Sequence, residues 1–123
     1  MIQAGSVLKV VDNSGALFAE CIHVYGGFKQ RHVGVGKVIM VAVKTVVPNS
    51  KIKKGEKYLA VIVRTISKVG RSDGSFINAS ENGIVLIDKQ NEMLATRVFG
   101  PVFKELRKSG FFLKIISLAS EVI

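Results

Sequence analysis

Apolar positions in this chain recur mostly at every second residue or in short unbroken runs, and both patterns point to strands. Val7-Leu8-Lys9-Val10-Val11 predicts the first strand. Asp12-Asn13-Ser14-Gly15 follows as a turn, because Asn and Asp tolerate the left-handed backbone region and Gly enters it without strain. Leu17 to Val24 predicts a second strand, Val38 to Val47 a long β-branched third, and Tyr58 to Thr65 a fourth. Pro48-Asn49-Ser50 breaks the chain after the third. Ser67 to Gly74 is a polar, basic excursion with Ser-Asp-Gly at its tip, which predicts a hairpin arm or a loop. Gly83 to Ile87 and Leu94 to Phe99 predict short strands. After Gly100-Pro101 the period changes, and Phe103 to Lys108 predicts a short helix ended by Gly110. Val, Ile and Thr make up 33 of 123 residues, so the body is expected to be all-β, a small closed barrel or a sandwich. The length suits one domain over residues 1–123, with no repeat, linker or low-complexity block.

Charge changes this picture. The chain carries 18 Lys and Arg against 9 Asp and Glu, a net charge of +9, yet it is 48% hydrophobic. A disordered basic tail would lack those apolar residues, so the excess charge must lie on the surface of a cored domain. Such a surface suits a polyanion, either nucleic acid or an anionic membrane face. No uncharged internal stretch approaches the roughly 20 residues of a membrane-spanning helix. The N-terminal residues show neither a secretory pattern nor the Arg- and Ser-rich look of a transit peptide. The expectation is a protein that stays where it is translated, in a cytosol or in an organelle with its own ribosomes. The lone Cys21 cannot form an internal disulfide, which fits a reducing compartment.

The positive charge is concentrated. Lys29, Arg31, Lys37, Lys44, Lys51, Lys53, Lys54, Lys57, Arg64, Lys68 and Arg71 share their span with one acid, Glu56. From Asp73 to Glu92 the balance reverses, which assigns that stretch to solvent or protein contacts rather than RNA. The expected phosphate contacts are Lys29, Arg31, His32, Lys37, Lys44, Lys51, Lys53, Lys54, Arg64, Lys68 and Arg71. Glycine-loop amides around Gly34 and Gly36 would add backbone donors. The structural alternative for Lys51 to Lys57 is a charged guard on strand edges.

Other chemistries fail on spacing. A phosphate-binding loop ending in Gly36-Lys37 would need Gly where Arg31 stands and Ser or Thr where Val38 stands. A dinucleotide fingerprint would need Gly at Ile39. Cys21 and His23 fall on one face of a strand, but two ligands make no zinc site, so Cys21 is expected as a buried apolar filler. No nucleophile–base pair or carboxylate cluster indicates an enzyme, and no cofactor or metal is expected. Phe111-Phe112 beside Lys114 is expected to anchor the C-terminal segment, with base stacking as the alternative.

Taken in order, several segments resemble one family. They are Leu8 to Ala16, Gly34-Val35-Gly36, Val47-Pro48, Lys51 to Gly55, Ala60 to Thr65, Asp73-Gly74-Ser75, Thr96 to Val102, Glu105-Leu106-Arg107 and Lys114 to Ala119. The ordered set is similar to the universal large-subunit ribosomal proteins of the L-fourteen family. That resemblance implies a five-stranded β-barrel with a protruding β-ribbon and a small helical part over about residues 102–123. It implies binding to large-subunit rRNA near the sarcin–ricin region and contact with small-subunit rRNA at an intersubunit bridge. Protein neighbours would be of the L-nineteen and L-three families. It further implies docking of a ribosome silencing factor on Thr96, Arg97 and Lys114. The chain departs from the family pattern at Lys37, where an acid is usual, and at Leu17 and Phe18, where basic residues are. It departs again at Ala79, usually aromatic, and at Ser120, usually proline. The loss of charge at 17–18 suggests a protein neighbour there, and the drift suits an organelle such as a mitochondrion, with a bacterium as the alternative. The rival from another class is a free-standing small-barrel factor acting on single strands, which would want exposed aromatics along a groove. Phe28 and Phe76 are its loop-placed candidates.

Overall fold

The computed structural model describes residues 2–24, 34–48, 52–90, 92–109, 113–119 and 121–123, with the side chains of 107–109 and 113 excluded. Five strands close a barrel: β1 (Val7–Val10), β2 (Ala16–Val24), β3 (Val38–Val46), β4 (Lys57–Arg64) and, after a two-stranded ribbon of β5 (Val69–Gly70) and β6 (Phe76–Ile77), β7 (Gly83–Ile87). Neighbours pair antiparallel except β1 and β7, which close the barrel in parallel, with Lys9 opposite Gly83 and Val10 opposite Ile84. Closure removes the open edges that would template pairing with another chain.

Two apolar clusters flank the barrel wall. Inside lie Leu8, Ala19, Val41, Ile62, Ile84 and Leu86 among others. Outside, Val11, Val61, Val63, Val85 and Ile87 meet Val98, Val102, Leu106 and Ile115. Alternation therefore survives in β1 and β3, while β7 is buried at every position. The second cover comes from the C-terminal module: β8 (Pro101–Val102), a 3₁₀ turn at Lys104–Ser109, α1 (Leu113–Leu118) and β9 (Glu121–Val122), which pairs in parallel with β8.

Three sequence expectations are corrected. Leu94 to Phe99 is not a strand: it forms no ladder, only an isolated bridge of Val98 to Asp12, with another just before it between Met93 and Ile87. Asn13 takes the place of a backbone ladder there, as described below. The expected helix at Phe103 to Lys108 is a 3₁₀ turn, and the α-helix lies further on at α1. Cys21 and His23 do not share a face: a register shift between them buries Cys21 and exposes His23. Cys21 packs inside the barrel, where burial pushes its thiol above the ordinary value.

Candidate nucleic-acid interface

The exposed cations flank the longest strand pair. Lys37 precedes β3, and its carbonyl accepts from Ile62 N at 3.2 Å, where the chain also holds Gly36 N to Ile62 O at 2.9 Å. Lys44 lies near the far end of β3, about 23 Å away at the usual strand rise. Lys53 and Lys54 sit beside it, because Gly55 N donates to Val43 O at 2.8 Å and Val43 N to Glu56 O at 2.9 Å. Buried Ile52 pins that turn to the barrel interior and leaves both lysines in solvent. Lys44 pairs with Glu20 at 3.1 Å, a surface pair with little hold on it, and no described carboxylate pairs with Lys37, Lys53, Lys54 or Lys68. Lys29, Arg31, His32, Lys51, Phe28, Phe111 and Phe112 lie outside the described residues.

Two of the expected phosphate contacts are engaged within the protein instead. Arg64 is 5% exposed. Its guanidinium donates to Phe99 O at 2.9 Å, to Pro101 O at 3.0 Å and to the Glu81 carboxylate, which also meets Lys9 Nζ at 3.4 Å. The side chain passes between two glycines. A Cβ at Gly83 would lie 2.9 Å from Arg64 Cγ, and one at Gly100 would lie 2.6 Å from its Nη1. Arg71 donates through Nε to Glu105 Oε1 at 2.8 Å, through Nη2 to Oε2 at 3.4 Å, and to the Ile123 carbonyl. Sequence position counts charge but cannot show whether a guanidinium points outward; both turn toward backbone carbonyls and carboxylates that accept from them in part-buried surroundings.

The acidic stretch resolves into local structure. Asp73 accepts from Ser75 N and Oγ at 3.0 and 2.6 Å, and Asp88 accepts from Gln90 N and Glu92 N at 2.8 and 3.0 Å. These are turn-closing carboxylates. Glu81 is the exception, and its hydrogen bond from Arg64 holds its carboxyl below the ordinary 4.5. A depressed folded value stabilises the protein above the unfolded value, and that stability is lost as pH falls through the folded one. Thermal stability is therefore expected to fall as pH drops below about 4.5, and Glu81→Gln should lack this component. Buried Asp12 has the opposite sign, because desolvation raises its carboxyl above 3.8 against the pull of Ser14 and Leu86 donors. Comparing melting temperature against pH for the parent and Glu81→Gln isolates Glu81; parallel curves would show that it contributes nothing.

In the turn before β2, Asn13 has a role that the sequence hides. Its Oδ1 accepts from Thr96 N and Arg97 N at 2.9 and 3.0 Å, and its Nδ2 donates to Thr96 Oγ1 at 2.9 Å. A residue read as part of a turn thus fixes a segment 83 positions away. Val98 and Ile115, the chain neighbours of Arg97 and Lys114, are buried in one cluster, while Thr96, Arg97 and Lys114 are exposed. Beside this turn a groove of about 400 Å³ is lined by residues 12–17 with Val47, Pro48 and Phe99. Leu17, Phe18, Val47 and Phe99 are all exposed apolar side chains. Among the described residues no cluster of His, Cys, Asp or Glu could hold a metal ion, and no helix is long and apolar enough to cross a membrane.

A closed five-stranded barrel, a ribbon and a C-terminal cap in this order agree with the resemblance read from the sequence. The family model described as Ribosomal protein L14p/L23e matches residues 1–123. The chain belongs to the L14p/L23e family of ribosomal proteins. Members of L14p/L23e are structural, non-enzymatic components of the large ribosomal subunit, with rRNA and ribosomal proteins as their partners. In L14p/L23e terms the lysines around β3 are candidates for the RNA side, and the Asn13–Thr96–Arg97 surface is a candidate for the protein side.

Proposed function

We propose that this L14p/L23e protein binds large-subunit rRNA by neutralising phosphates with Lys37, Lys44, Lys53, Lys54 and Lys68, joined by Lys29, Arg31, His32 and Lys51. The supporting observation is a set of exposed lysines at both ends of β3, Lys37 at one and Lys44, Lys53 and Lys54 at the other, three of them without a described acidic partner. The barrel fixes their spacing, so ordering costs on binding fall mainly on side chains. Electrostatics supply most of the affinity, and phosphate contacts set position rather than sequence preference. On this reading the protein also reaches small-subunit rRNA at an intersubunit bridge and packs beside L-nineteen and L-three family proteins. Leu17 and Phe18 present apolar surface, which suits a protein neighbour rather than a phosphate. We place the ribosome in an organelle, the mitochondrial matrix, with a bacterial cytoplasm as the alternative. The test is sedimentation of the native protein: it should travel with the large subunit. Recovery at the top of the gradient, under conditions that keep large subunits intact, would support the free-standing factor instead.

Thr96, Arg97 and Lys114 form the proposed docking surface for a silencing factor. Arg97→Ala with Lys114→Ala should weaken that binding about 10- to 100-fold while leaving subunit incorporation intact. Asn13→Ala should act in the same direction more weakly, because it loosens Thr96 and Arg97 without removing either side chain. A double variant that fails to assemble would place the pair in the structural core or on rRNA.

A further inference from the structure

The β5–β6 ribbon has two unlike faces. Its register sets Val69 opposite Ile77 and Gly70 opposite Phe76. Alternation then puts Val69, Arg71 and Ile77 on one face and Lys68, Gly70, Phe76 and Asn78 on the other. The first face is half-buried, and Arg71 latches it to Glu105 and the Ile123 carbonyl. The second is exposed throughout. At 69% exposure Phe76 is the most exposed large apolar side chain among the described residues. Its ring leans over Gly70: a Cβ added there would lie 3.5 Å from Cε1. An aromatic laid over a cross-strand glycine covers bare backbone, which explains why a bulky side chain sits here. It does not explain an aromatic in particular, since Leu would cover the glycine too. The distinctive property left over is an open π-face on a ribbon held down from behind. The charged side chain on that face is a lysine, and the nearby tip carboxylate of Asp73 is committed to Ser75.

We propose that Phe76 is a stacking platform for one unpaired nucleobase, with Lys68 on the adjoining phosphate. The proposal rests on the rRNA-binding reading above and adds a contact of a different kind to it. Aromatic rings stack on any base without reading its edge, and loss of one such contact weakens binding about 5- to 100-fold. The ribbon supplies what stacking needs: a ring that binding does not have to order, on an element fixed to the body by a guanidinium–carboxylate pair.

The test uses the full-length protein and an in vitro transcript of its own large-subunit rRNA, titrated at several salt concentrations. Phe76→Leu, which still covers Gly70, should weaken binding about 5- to 100-fold with an unchanged salt slope, and Phe76→Tyr should stay within about 2-fold of the parent. Lys68→Ala should instead lower the slope by about 0.7–0.9. Ultraviolet crosslinking of native subunits should leave a nucleotide adduct on the Phe76 peptide. A Phe76→Leu variant that binds like the parent, with no adduct, overturns the stacking contact. In that case an ordinary salt slope for the parent still leaves the rRNA reading standing. A parent that does not bind the transcript removes both. Unchanged rRNA affinity with loss of a protein neighbour from assembled subunits would make this face a protein contact and overturn the proposal as well.

Discussion

Arg64→Ala should lower the unfolding free energy by about 3–4 kcal/mol and the melting temperature by roughly 10–20 °C. The guanidinium satisfies the Phe99 and Pro101 carbonyls, which flank Gly100 at the entry to β8. Hydrogen bonds to a charged donor are worth about 1.5–3 kcal/mol each, and a part-buried carbonyl left without one adds an uncompensated desolvation penalty. The Glu81 side of the network adds less, because that side chain is a third exposed and water can replace the lost donor. Lys at this position should recover less than half of the loss, since an ammonium cannot reproduce a planar fork aimed at two carbonyls and a carboxylate. Equilibrium urea unfolding measures the effect. A variant within about 1 kcal/mol of the parent would mean that the carbonyls find other donors and the staple is dispensable. The same variant, assayed below its melting point, should keep the parental salt slope for rRNA. A slope reduced by one phosphate contact would return Arg64 to the RNA-facing set.

Lys53→Ala combined with Lys54→Ala should weaken rRNA binding roughly 10- to 30-fold at 0.15 M salt and reduce the log–log salt slope by about 1.4–1.8. Each lysine that neutralises a phosphate releases about 0.7–0.9 of a counterion, so two contacts set the slope change independently of their sequence context. Stability should hardly change: both side chains are in solvent at a turn anchored by Ile52 rather than by charge. Lys37→Ala, at the other end of β3, should add its own effect without coupling, because sites that far apart share no partner. Loss of affinity with no change in slope would show that the pair acts through fold or protein contacts. An unchanged affinity would assign the turn lysines to edge protection.

Much of the barrel was legible because its signals are local. The stiff β-branched run at β3 and the alternation in β1 specify strands that one neighbour on each side can satisfy. Gly83 to Ile87 was legible as a strand, and its unbroken apolar run already required cover on both faces. What supplies that cover was not legible. Leu94 to Phe99 has strand-like composition, yet its backbone is held by the Asn13 side chain, a partner that no periodicity reveals.

The sequence by itself determined an all-β body, a concentrated positive charge and, through its ordered motifs, the ribosomal family. Those properties depend on residue type and short spacing, which the chain displays directly. Tertiary structure alone decided which charges remain available. Arg64 and Arg71 count as basic residues in any tally, but backbone carbonyls and carboxylates within the fold consume them. Lys53 and Lys54 stay outward because Ile52 takes the buried place between them and the barrel. It also decided that Phe76 faces out, by giving the ribbon a latched side and leaving the other open. A guanidinium's direction depends on which polar groups folding strands beside it, and for these two those groups lie 17 to 52 residues away in the chain.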